Sequence, residues 1–157
     1  MAPLQVPSRF EFDLSGEGDS HVSPEPLFKS GHLPAGGADF PTINYESVRG
    51  KEYQTAFFGG FRETFAADSL YRLDLPSGES ICRYREGYLP GEPQFIPSPK
   101  AKNSDDGVLM VVWHSLLKDH RPILSIIDAA DLALIGEVEL PVSFIPMCVH
   151  GIFYDLF

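Results

Sequence analysis

The sequence predicts an all-β chain. Three observations carry that expectation. No stretch sustains a 3.6-residue apolar period, several short runs alternate apolar and polar residues, and turn signals separate those runs. The 12 Phe and 6 Tyr lean the same way, since aromatic side chains fit a pleated surface.

Taken in order, "RFEFDL" (9–14) reads as a short alternating strand. The segment "SGEGDSHVSPEPLFKSGHLPAGG" (15–37) is rich in Gly, Pro, Ser and His and reads as a long loop. "YQTAFFGGF" (53–61) is an apolar strand with Gly59 and Gly60 expected at a bulge or bend. "SLYRLDL" (69–75) and "ESICRYRE" (79–86) alternate on either side of "PSG" and form a hairpin. "QFIPSP" (94–99) is a short strand ended by its prolines. "GVLMVVWHSLL" (107–117) and "PILSIIDA" (122–129), joined by the polar "KDHR", make a second hairpin. "ADL" (130–132) adds a helical turn before "ALIGEVELPV" (133–142), a last alternating strand. Short hairpin-linked strands suit a sandwich, a barrel or several propeller blades, and periodicity does not choose among them. No internal repeat marks a WD40-like array.

Composition narrows the function classes. With 157 residues the chain has the size of one domain, and its charge of −10 argues against nucleic acid, which needs clustered Lys and Arg. The same charge disfavours electrostatic docking on anionic lipid but leaves an apolar membrane contact open. No apolar run reaches transmembrane length, and "MAPLQVPSRFEF" lacks the apolar core of a signal peptide. Cys82 and Cys148 form no CxxC pair, so a reducing interior is expected, taken as the cytoplasm.

Few side chains advertise chemistry. His150, in "CVHGIF", read alone is either a core histidine satisfied by one backbone bond or a group facing something that needs an imidazole. Glu92, between Gly91 and Pro93, reads alone as a solvated turn residue. Asp39 reads alone as a loop aspartate. His21, His32, His114 and His120 are read as exposed or locally bonded. "NSDDG" lacks the ligand spacing of a calcium loop. There is no GxSxG and no Gly-rich phosphate loop.

Three motifs in order supply the missing context: "ADFPTINYESVRGKEYQTAFFGG" (38–60), "PGEPQFIPSP" (90–99) followed by "DDGV" (105–108), and "VHGIF" (149–153). Together they resemble the carotenoid cleavage oxygenases. "FPTINY" with the following "GKEY" is similar to the animal branch, the β-carotene oxygenases and the retinoid isomerohydrolase of pigment epithelium. The resemblance implies a seven-bladed β-propeller whose axis holds non-haem Fe(II) on four histidines, with three supporting carboxylates. It implies dioxygen as co-substrate and an apolar polyene, a carotenoid or retinoid, as substrate, with peripheral membrane contact in the full-length protein. A blade needs about four strands, so this chain supplies about the last three blades. The division that follows is 1–37, a short strand plus loop-rich segment, and 38–157, the C-terminal blades.

By the resemblance His150 is an iron ligand, its ring facing inward at the shared axis. Glu92 is the carboxylate that supports it, fixing its tautomer and raising its basicity. Asp39 falls on another supporting position, where the animal enzymes carry glutamate. Aspartate keeps the charge on an arm one methylene shorter, and its imidazole partner would lie upstream. Three of the four ligand histidines would also lie upstream, so the isolated chain is expected to be inactive. A partial ring exposes strand edges, which makes "GVLMVV" and "ILSII" association hazards. The alternative is a truncated paralogue that binds a carotenoid or a partner protein without catalysis.

Overall fold

The computed structural model describes residues 5–12, 24–62, 66–103, 105–147 and 150–152. Among these the chain is built from antiparallel sheets and a single helical turn. A two-residue ribbon pairs β1 (Ser8–Arg9) with β2 (Glu25–Pro26). The first full sheet runs in chain order through β3 (Ala38–Thr42), β4 (Thr55–Gly60), β5 (Ser69–Asp74) and β6 (Ser80–Tyr84). The second contains β7 (Tyr88–Pro90), β8 (Gln94–Pro97), β9 (Gly107–Ser115), β10 (Ile123–Asp128) and β11 (Leu134–Glu139). Both β7 and β8 pair with β9, so the second sheet has the same four-position meander as the first, with its opening strand broken in two. Each meander has the four positions of a propeller blade, and among the described residues there are two of them where about three blades were expected.

The hairpins form where the turn chemistry demands them. In the β5–β6 turn, Asp74 accepts the Ser77 N–H through its side chain and the Gly78 N–H through its carbonyl, and Gly78 takes φ +70°. Gly59 and Gly60, expected at a bulge, instead lie in an unbroken ladder opposite Leu70 and Ser69. At Gly60 the need is for space: a Cβ there would collide with the Tyr71 ring. Residues 129–131 make a plain turn in place of the expected helical one, with Leu132 at φ +60°. The one helical turn, α1 (Tyr45–Val48), lies in the first motif; Asn44 caps it by accepting the Ser47 N–H.

The core sits between the two sheets. Phe57 and Leu70 of the first sheet pack with Leu109, Val111, Trp113, Ile123 and Ile127 of the second, all nearly or fully buried. Phe57 also stacks on Phe95 with ring centroids 5.8 Å apart. The other face of the first sheet is covered as well, by Phe28, Ala56, Phe58 and Leu73 with neighbouring loop residues. By contrast, β11 exposes Leu134, Ile135 and Val138. The end of β3 meets the break between β7 and β8 through Thr42 and Pro93, and the candidate site lies there.

Candidate metal centre

Both opening strands carry a β-bulge. Along β3, Asp39 pairs with Gly59 and Thr42 with Phe57, so Phe40 and Pro41 stand against Phe58 alone. Between β7 and β8, Pro90 pairs with Trp113 and Gln94 with Met110, so Gly91, Glu92 and Pro93 stand against only Val111 and Val112. Proline forces the irregularity in each case, because it brings no N–H to the ladder. Gly91 keeps one ladder bond by donating to the Val112 carbonyl at 2.8 Å. A bulge re-aims the side chains around it. An acid stands at each bulge, Asp39 in the last paired position before the first and Glu92 within the second.

The bulges are tied to each other. Thr42 Oγ1 donates to the carbonyl of Pro93 at 2.8 Å, and Pro93 is fully buried. That bond joins the end of β3 to the residue after Glu92.

Glu92 reaches the C-terminal segment. Its Oε2 accepts the backbone N–H of Gly151 at 3.0 Å and the side-chain amide of Gln94 at 3.2 Å. Its Oε1 faces His150 Nδ1 at 3.4 Å, a long hydrogen bond. The Phe40 ring meets the imidazole edge-on, centroids 6.3 Å apart and planes at 75°. The Glu92 side chain is 14% exposed and that of His150 79%. The enclosed, inward-facing ring expected from the sequence is therefore not what the chain alone provides. Glu92 and Phe40 contact the imidazole, and no other described side chain is in hydrogen-bond or ring contact with it. With a carboxylate on Nδ1, the N–H belongs on Nδ1 and Nε2 keeps its lone pair free for a metal.

Asp39 behaves differently. Its Oδ1 accepts the N–H of the next residue, Phe40, at 2.8 Å, and Phe40 takes φ +55°, rare for a residue with a side chain. Among the described residues, Asp39 meets no histidine by hydrogen bond or ion pair. His114 also departs from its reading as exposed or locally bonded. It is 8% exposed on β9, where burial holds its imidazole below the ordinary value, offset in part by a hydrogen bond to the Ile145 backbone. His32 Nδ1 accepts the Ser80 N–H at 2.9 Å, and His120 Nδ1 lies 3.4 Å from the Tyr88 hydroxyl. His21 and Cys148 fall outside the described residues. Gln94 and Thr42 were missed in the sequence. For Gln94 the signal was its place two residues beyond Glu92, at the start of the strand that follows the bulge.

Among the described residues no three His, Cys, Asp or Glu side chains converge as a metal cluster. The residues present thus fit one arm of a metal site, a histidine with its carboxylate support, and no more.

Comparison with known proteins identifies the family. The family model described as retinal pigment epithelial membrane protein (RPE65) matches residues 3–155. The chain belongs to this family. Its sequence is 35% identical over 118 residues to the mitochondrial carotenoid-cleaving dioxygenase of Mustela putorius furo, covering 75% of this chain and 21% of the relative. The Homo sapiens protein of the same name is 30% identical over 140 residues, covering 89% and 24%. Among solved structures, a chimera of ACO and RPE65 superimposes with a TM-score of 0.74 at 26% identity, over 86% of this chain and 28% of the chimera. A cobalt-substituted ACO from Synechocystis gives 0.66 at 25% identity, over 77% and 25%. ACO is an apocarotenoid oxygenase. The all-β, partial-propeller architecture expected of this chain is the one these RPE65-family neighbours share.

The chain spans about a quarter of the length of the curated relatives it matches. One expectation from composition is overturned: those relatives are named as mitochondrial, which conflicts with a cytoplasmic location. A low cysteine count reports a reducing compartment, and it does not distinguish one such compartment from another.

Proposed function

We propose that this chain forms the C-terminal blades of a non-haem Fe(II) dioxygenase that cleaves a double bond of a carotenoid or apocarotenoid. His150 serves as one metal ligand through Nε2. Glu92 holds the Nδ1 proton, which sets the tautomer, turns the ring and strengthens the imidazole as a donor. Gly151, bonded to the same carboxylate, fixes the backbone beside the ligand. When bound, Fe(II) supplies the activation of dioxygen. Asp39 keeps a negative charge on the neighbouring bulge, in the role of a weaker supporting carboxylate. The substrate class follows the names of the family relatives, and their naming also supports a mitochondrial location.

The single observation that carries this reading is the Glu92 carboxylate, which meets both His150 and Gly151 from a bulge in an opening strand. The test is iron content and apocarotenal formation by the protein from its native source, against His150→Ala. Loss of both in the variant is expected; retention of iron and turnover would refute the ligand role. The isolated 157 residues should hold far less than one iron per chain and form no apocarotenal. The exposed imidazole favours the second reading, a carotenoid- or partner-binding chain without chemistry. Polyene binding without iron or product in the native protein would select it.

A further inference from the structure

We infer that Gln94 is a positioning residue: its side-chain amide fixes the rotation of the Glu92 carboxylate so that one oxygen is presented to His150. The inference rests on the ligand role proposed for His150 and adds a residue to it.

The two carboxylate oxygens have divided tasks. Oε2 takes two donors, the Gly151 N–H and Gln94 Nε2, while Oε1 is left for the imidazole. A carboxylate can turn about its last torsion, whose wells are broad. One donor on Oε2 leaves that rotation loose, and two donors from different segments define it. Gln94 is well placed to be the second. It opens β8, pairs with Met110 in the ladder, and so springs from rigid backbone immediately after the bulge. It also lies beside the segment it helps to hold: a Cβ built on Gly151 would touch the Gln94 side chain at 3.6 Å, an ordinary van der Waals distance. An amide is the suitable group, since it donates without adding charge. Leucine or methionine would fill the space and leave Oε2 with one partner. Glutamate would place a second negative charge against Glu92.

The test reads geometry and not turnover. In the purified protein, two quantities are followed for Gln94→Met and Gln94→Glu: hydrogen exchange of the Gly151 amide, and the Nδ1–H tautomer fraction of His150 from its ring ¹⁵N shifts. Gln94→Met should speed Gly151 exchange about tenfold, the lower end of the scale for one lost hydrogen bond to a charged group, and lower the Nδ1–H fraction. Gln94→Glu should do more of both. Exchange at Leu70 and Leu73, in the core of β5, should not change, which separates lost positioning from lost folding. If Gln94→Met does not fold, Gln94→Asn carries the same test, because its amide is too short to reach Glu92. Unchanged exchange and tautomer in the folded Gln94 variants, with both altered in Glu92→Gln, would overturn the role of Gln94 alone. Unchanged values in Glu92→Gln as well would also remove the Glu92–His150 pairing beneath it.

Discussion

The two opening strands make an informative pair. Each is interrupted by one extra residue at a proline, each carries an acid at the interruption, and the two are bridged by Thr42. Yet Glu92 reaches 58 and 59 positions along the chain to His150 and Gly151, while Asp39 bonds to the residue that follows it. Side-chain length and a local backbone bond explain the difference together. Asp39 has one methylene fewer, and its Oδ1 is already occupied by the backbone N–H of the residue that follows. An acid at a bulge is the stronger support for a distant histidine when its arm clears its own backbone, and the weaker one when it bonds there.

The largest expected effect breaks the pair on the Glu92 side. Glu92→Gln should lower metal affinity of the native protein by about 10- to 100-fold, the usual cost of losing a carboxylate behind a ligand histidine. Asp39→Asn should cost less than about tenfold in the same metal titration. Equal losses would show that the two acids are equivalent and that the local bond of Asp39 is immaterial.

Next in size is the bridge. Thr42→Val keeps the shape and removes the donor, leaving the Pro93 carbonyl without its partner. A loss of about 1–3 kcal/mol in denaturant unfolding is expected. An unchanged midpoint would mean that the two bulges are not mechanically linked.

Strand length and composition decided how much of this was legible in the sequence. Alternating runs located β5, β6 and β11, and apolar runs bounded by turn residues located β4, β9 and β10. The strands β3 and β7 were not legible. Pro41 breaks the pattern of the first, and the second has only three residues, all buried, which carry no period at all. The site was readable only through motif resemblance, since a Glu between Gly and Pro looks like any turn. Its exposure could not be read, because what covers an imidazole depends on segments distant in sequence. His114 was misread for the opposite reason: at the end of a strand its polarity suggested solvent, whereas β9 buries it and its bond to the Ile145 backbone holds the tail that leads to His150.

That second anchor gives the smallest prediction. The folded-state pKa of His114 lies below its ordinary value, so the unfolded chain takes up a proton first as the pH falls through about 6.5. Its contribution to stability is complete above that pH and is lost on acidification until the pH reaches the folded-state value. The slope is at most about 1.4 kcal/mol per pH unit. His114→Gln should flatten this part of the pH–stability curve while leaving the Glu92 contact intact. An unaltered curve would show that His114 is not the group that titrates.

The central claim is tested most directly by the ring ¹⁵N spectrum of neutral His150 in the unmodified protein. Glu92 as its support predicts a proton on Nδ1 and an unprotonated Nε2, ready to bind a metal. A predominantly Nε2-protonated ring, the form an unsupported imidazole prefers, would contradict it.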